Sequence, residues 1–114
     1  MSLDVGSLTN SMIDSVRKAI GERWDAIRDV AELELLKLAQ TLEDVNQLRA
    51  SGKIDMHRAI EIVQMQRNTA ESVLTSVEGL GILTGREAIE AAADAAGAIV
   101  NRLVGFRLIS TKGE

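Results

Sequence analysis

One long stretch decides the fold of this 114-residue chain. It covers residues 8–49 and reads LTNSMIDSVRKAIGERWDAIRDVAELELLKLAQTLEDVNQLR. Its apolar side chains recur every three or four positions, which is the period of an amphipathic α-helix and not the alternation of a β-strand. They are Ile13, Val16, Ile20, Trp24, Ile27, Ala31, Leu38, Leu42, Val45 and Leu48. The stretch therefore predicts a long first helix with one apolar face.

A glycine interrupts this pattern between Ile20 and Trp24. Gly21 is unfavourable inside a helix, where it costs about 1 kcal/mol relative to alanine. Two outcomes stay open at this point. The helix over 8–49 either bends at Gly21 and continues, or breaks there into a short helix and a long one.

Two further helices are predicted after this stretch. The turn at Ser51-Gly52 ends the first helix, and Asp55 caps a second helix over about 56–78. The connection is short, so the two helices are expected to be antiparallel neighbours. The segment Thr84-Gly85-Arg86-Glu87 has the form of a capping box and predicts a third helix over about 85–105.

The third helix is rich in alanine, so neighbouring helices can approach it closely. The polar tail, residues 110–114, is expected to be frayed. Together these elements predict a single all-α domain over 1–114, a helical bundle with a long first helix, an antiparallel second helix and an alanine-rich third helix.

The predicted lengths leave part of the first helix uncovered. At ~1.5 Å per residue it would reach about 60 Å, against about 35 Å for the second. If Gly21 breaks the helix, the excess can fold back and complete a four-helix bundle within one chain. Otherwise a homodimer or higher homo-oligomer covers it, and this is the outcome that we expect. The interface candidates are Ile13, Val16, Ile20, Trp24, Ala92, Ala96, Ile99, Leu103 and Phe106.

A charged residue stands on the apolar stripe of the first helix. Glu34 lies between Ala31 and Leu38, and the antiparallel hairpin places it opposite a polar break in the second helix at Gln66 and Arg67. A buried polar layer of Glu34, Gln66 and Arg67 would fix the register of the helices at some cost in stability. Two alternatives stay open: Glu34 reaches solvent at the edge of the stripe, or it belongs to a ligand or metal site.

The composition argues against several classes of function. The chain has no cysteine, no tyrosine and one histidine, so thiol chemistry and a serine–histidine triad lack residues. The formal net charge is −4, with both signs spread along the chain, which argues against a nucleic-acid partner. His57 lacks the Glu-x-x-His spacing of di-iron bundles and is expected to lie in solvent. We therefore expect no enzyme activity, no catalytic residues, no cofactor and no metal site.

These observations favour a non-enzymatic, self-associating protein-interaction or scaffolding module, with an unknown protein as a second kind of partner. One alternative is a bundle whose polar core around Glu34 and Gln66 binds a metal ion or small ligand. A weaker one is peripheral membrane association through the C-terminal helix, where apolar residues adjoin Arg102 and Arg107. A membrane partner is not expected, since no long uncharged apolar run occurs. The first residues lack the features of a signal peptide, which predicts a cytoplasmic location.

Overall fold

The computed structural model describes residues 2–111 and confirms the all-α fold. Its helices are α1 (Val5–Ile20), α2 (Trp24–Ala50), α3 (Met56–Thr75) and α4 (Ile82–Val104), with a 3₁₀ turn at Gly21–Arg23 between the first two. No β-strand occurs in the part of the chain that the structure describes. The helices pack in the order α1–α2–α3–α4–α1, and α2 and α4 also approach each other across the bundle. The result is an up-down-up-down four-helix bundle of 43 × 26 × 22 Å.

The core of the bundle consists of aliphatic side chains from all four helices. Because apolar positions recur on one side of each helix, the four apolar sides meet along the bundle axis. The largest fully buried side chains on the helices are Leu8, Met12, Ile27, Leu35, Leu38, Leu42, Leu74, Ile89, Val16 and Val45.

Of the two outcomes that the sequence leaves open for residues 8–49, the structure has the break: two helices meet at Gly21. This residue has φ +58° and ψ −123°, a conformation that residues with a side chain rarely adopt. A Cβ at Gly21 would have no other atom within 4 Å, so the backbone angle and not the available space requires glycine. The Gly21 amide donates to the Arg17 carbonyl and closes α1. The chain therefore takes the self-contained alternative, in which α1 folds back and covers its apolar side within one chain.

The other helix bounds differ from the predicted ones by a few residues. α1 begins three residues earlier than expected, because Asp4 accepts a hydrogen bond from the Ser7 amide at 3.1 Å and acts as the N-cap. Hydrogen bonds from the backbone and the side chain of Ser7 lower the pKa of Asp4. Asp55 caps α3 as predicted, by accepting from the Arg58 amide at 2.8 Å.

The predicted capping box at Thr84 is not used as a cap. α3 ends at Thr75 instead of 78, and α4 begins at Ile82 instead of 85, so that Thr84 lies inside the helix. The Thr84 hydroxyl instead accepts a hydrogen bond from Arg23 Nη1 at 3.1 Å. At Gly85 a Cβ would lie 2.8 Å from Thr75 Cγ2, so glycine lets the start of α4 pack closely on the end of α3.

After α4 the chain turns at Gly105 and folds back along the helix. Leu108 and Ile109 are buried, with 2% and 1% of their surface exposed. The Asn101 side chain holds this segment: its Nδ2 donates to the Ile109 carbonyl at 2.9 Å, and its Oδ1 accepts from the Ile109 amide at 3.1 Å. Part of the expected frayed tail, residues 110–111, follows this segment, and its remainder, residues 112–114, lies outside the described residues.

Candidate functional site

Glu34 is a buried charged residue of α2. Its surface is 3% exposed, because α2 places it between Ala31 and Leu38 on the side that packs against other helices. Its Oε2 atom accepts a hydrogen bond from Lys37 Nζ at 3.2 Å, and half of the Lys37 side chain is exposed. Its Oε1 atom is buried and has no hydrogen-bond partner within residues 2–111. The carboxylate is therefore held from one side only, by a lysine of the same helix.

The structure does not join Glu34 to Gln66 and Arg67, the partners expected from the sequence. Both are partly buried on α3, but no hydrogen bond links either of them to Glu34 among the described residues. Gln66 lines a depression of about 250 Å³ beside α2. Arg67 lines another, of about 240 Å³, with Glu90 of α4. The two side chains of α3 thus belong to different surfaces, and Lys37 takes the place expected for Arg67.

The residues expected at a subunit interface are mostly inside the single chain. Val16, Ile20, Trp24, Ala92 and Ala96 are buried, with between 0% and 6% of their surface exposed. Three others are partly buried, namely Ile13, Leu103 and Phe106, and Ile99 is 41% exposed. The Phe106 ring lies under the Arg49 guanidinium, 4.9 Å from its carbon to the ring centre. Most of the apolar surface that motivated these candidates is therefore covered within the single chain.

A row of exposed apolar side chains lies instead on the opposite side of α2. Val30, Leu33 and Leu36 have 37%, 52% and 38% of their surface exposed, and we call them the outer row. Their three-residue spacing places them within about 120° of one another on the helix. The buried residues of α2 face the other way, and both Leu35 and Leu38 are 0% exposed. The outer row lies off the apolar stripe that predicts the helix, so the stripe alone does not reveal it.

The other exposed apolar residues do not form a row of this kind. Met65 of α3 is 63% exposed, and Ile82 and Leu83 at the start of α4 are 60% and 79% exposed. Consecutive helical residues such as Ile82 and Leu83 point about 100° apart. Single exposed apolar side chains are common on protein surfaces and carry little information. Three spaced along one helix face are more informative.

Charged residues of opposite sign stand at the two ends of the outer row. Asp29 precedes Val30 and Lys37 follows Leu36, and both are exposed. Lys37 is already held in place through its ion pair with Glu34. The outer row with Asp29 and Lys37 is therefore an amphipathic surface with a polar group of each sign.

The N-terminal segment is attached to α2 through Glu43. The Glu43 Oε1 accepts from the Leu3 amide at 3.0 Å, and its Oε2 accepts from Gln47 at 3.1 Å. Burial raises the pKa of Glu43, but hydrogen bonds from Leu3, Gln47 and Asn46 outweigh it and lower that pKa overall. The carboxylate stabilises the position of the chain before α1.

A depression of about 550 Å³ opens at the corner where α1 meets α2, and it does not define a ligand. Its charged lining is mixed, with three acidic and two basic residues: Asp14, Glu22, Asp25, Arg17 and Lys18. Trp24 and Gly21 complete the lining. Since charges of both signs stand around it, this surface selects neither an anion nor a cation.

Residues 2–111 contain no group of three or more His, Cys, Asp or Glu side chains that could hold a metal ion. His57 is exposed in the first turn of α3, as expected. None of the helices in this range combines the length and the apolarity needed to cross a lipid bilayer. Comparison of the chain with protein-family models, with curated proteins and with solved structures finds no match.

Proposed function

We propose that the protein is a non-enzymatic helical interaction module that binds a second copy of itself through the outer row of α2. The supporting observation is the exposure of Val30, Leu33 and Leu36 on a helix whose other side already fills the core. Contact with a second apolar surface removes this area from water, which favours association by roughly 25 cal/mol per Å² before the costs of ordering. One helix face provides a small interface, so association is weak and depends on concentration.

Light scattering and sedimentation equilibrium of the purified chain test the proposal. Between about 1 µM and about 1 mM we expect the mass to rise from that of one chain, 12.3 kDa, towards twice that value. Leu33→Lys places a charge at the centre of the outer row and is expected to weaken association at least tenfold, or about 1.4 kcal/mol. Met65→Lys is the matched control, because Met65 is at least as exposed but lies on α3.

Two results would overturn the proposal. One is a constant mass of one chain over the whole concentration range. The other is an equal loss of association in Leu33→Lys and Met65→Lys, which would indicate adhesion without a defined surface. Both substitutions lie on exposed positions, so the stability of the folded chain is expected to change by less than about 0.5 kcal/mol in each.

A further inference from the structure

The residues around the outer row are arranged symmetrically about Leu33. Val30 and Leu36 each lie three positions from it, and Asp29 and Lys37 each lie four positions from it. At ~100° per residue, three positions correspond to about 60° on either side of Leu33, and four to about 40°. In each pair one residue therefore stands to the left of Leu33 along the helix face, and the other to its right.

The residue types at equal distances from Leu33, apolar with apolar and acidic with basic, suit an antiparallel pair of identical helices. When a two-fold axis relates two copies, residues at equal distances before and after the axis come to the same level on the two helices. With the axis at Leu33, this residue faces its own copy, and Val30 shares a level with Leu36 of the second copy. Asp29 then shares a level with Lys37 of the second copy, and the same contact occurs twice.

We infer that two copies of this chain associate with their α2 helices antiparallel, with the two-fold axis at Leu33 and two ion pairs between Asp29 of one copy and Lys37 of the other. This inference rests on the proposed function and adds the orientation and the register. Helix axes in contact are about 8–10 Å apart, which brings a lysine and an aspartate on one level within reach of each other. In a parallel pair, Asp29 of one copy would instead lie beside Asp29 of the other, and Lys37 beside Lys37, so that like charges repel.

The contact between Lys37 and Glu34 prepares this arrangement. The Lys37 ammonium is 3.2 Å from Glu34 Oε2, and half of its side chain is exposed beside the outer row. An ammonium group carries three N–H donors, so the bond to Glu34 leaves donors for a second carboxylate. A side chain that is already ordered loses less entropy when it binds.

A double-mutant cycle tests the register. Asp29→Lys brings two lysines to one level and is expected to weaken association at least tenfold. Lys37→Gln removes one partner but retains a donor towards Glu34, and is expected to weaken association about threefold. The double variant lacks both the ion pair and the repulsion, so it should associate as well as Lys37→Gln and better than Asp29→Lys alone. Glu87→Lys is the control, because it changes the net charge equally on the exposed side of α4.

A cysteine scan provides an independent measurement, since the natural chain contains no cysteine. Leu33→Cys places its thiol at the axis, where it meets its own copy at a distance suited to a disulfide. Under mild oxidation we expect mainly covalent dimer from Leu33→Cys, and little from Met65→Cys at the same concentration. Ala26 and Gln40 each lie seven positions from Leu33. When the variants Ala26→Cys and Gln40→Cys are mixed, we expect each to cross-link to the other more readily than to a second copy of itself.

The possible results separate the register from the proposed function. If the wild-type protein has the mass of one chain at every concentration, both the self-association and its antiparallel register are wrong. If it associates but Leu33→Cys cross-links no faster than Met65→Cys, the antiparallel register is wrong while self-association stands. The register is also wrong if the two charge substitutions act additively, so that the double variant associates more weakly than Asp29→Lys. Additivity would show that the two positions do not face each other.

Discussion

The two sides of α2 carry similar residues but differ in what covers them. On the inner side Ile27, Leu35 and Leu38 are between 0% and 1% exposed, while on the outer side Leu33 is 52% exposed. In a four-helix bundle, each helix presents about half of its circumference to the others. α1 keeps its buried residues on that half, whereas α2 carries leucine and valine on both halves. Residue type alone therefore does not decide burial here, and the outer row exceeds what one chain needs for its own core.

The largest effect on stability is expected when a buried leucine, Leu35, is compared with an exposed one on the same helix, Leu33. Leu35→Ala leaves a cavity in the core and is expected to lower the free energy of unfolding by about 2–5 kcal/mol. Leu33→Ala removes a half-exposed side chain and should change it by less than about 0.5 kcal/mol. Urea unfolding followed by circular dichroism at a low chain concentration measures both. Similar losses in the two variants would mean that the outer row is buried in the folded chain in solution.

A second test acts on the turn that lets α1 cover the inner side of α2. Gly21→Ala forces a side chain into φ +58°, which should cost about 1–3 kcal/mol in the free energy of unfolding. Gly6→Ala is the control, because a Cβ there makes only an ordinary contact, 3.4 Å from Asp4 Oδ1. Urea unfolding of both variants checks the difference. Equal stability of Gly21→Ala and wild type would show that the chain does not need this turn, and that α1 covers α2 in some other way.

The sequence predicts the helices better than it predicts their partners. Helical class, the cap at Asp55 and the burial of Glu34 follow from local pattern, because periodicity and capping are properties of neighbouring residues. Whether Gly21 bends or breaks the helix does not follow, since about 1 kcal/mol of local cost is small against the packing of α1 on α4. The outcome depends on contacts between residues far apart in sequence.

The same limit explains the features that were missed. Leu108 and Ile109 are buried in a segment that Asn101 contacts from α4, with a donor and an acceptor to the backbone of Ile109. The surplus apolar surface was expected around Val16 and Trp24, but it lies at Leu33, because α1 folds back. The absence of enzyme activity and the cytoplasmic location stay predictions.

The third test concerns Glu34, which stands at the border between the inner and outer sides of α2. One of its oxygens is buried with no hydrogen-bond partner in the described part of the chain, and such a group costs free energy in the folded state. Glu34→Leu should therefore raise the free energy of unfolding by about 1 kcal/mol. Glu32→Leu, at an exposed position of the same helix, should change it by less than about 0.5 kcal/mol. A large loss of stability in Glu34→Leu, measured by urea unfolding, would show that the ion pair with Lys37 outweighs the cost of burial.

The smallest effect is expected at Glu43, which is partly buried near the far end of α2 and holds the N-terminal segment against it. Its pKa is lowered in the folded chain, so the unfolded chain binds a proton at a higher pH than the folded one does. The stabilisation is therefore complete above the ordinary glutamate pKa, about 4.3, and is lost as the pH falls through the lower pKa of the folded chain.

Glu43→Gln should remove less than about 1 kcal/mol of stability at pH 7 and should reduce the decline of stability in acid. Thermal unfolding of Glu43→Gln and of the control Glu32→Gln, measured between about pH 3 and pH 7, checks this expectation. If the acid decline of Glu43→Gln is as steep as that of wild type, then the bonds from Leu3 and Gln47 do not persist in solution. The N-terminal segment would then be free to leave α2. The α1 side of the outer row would be less ordered than its α3 side, where Glu34 and Lys37 form an ion pair.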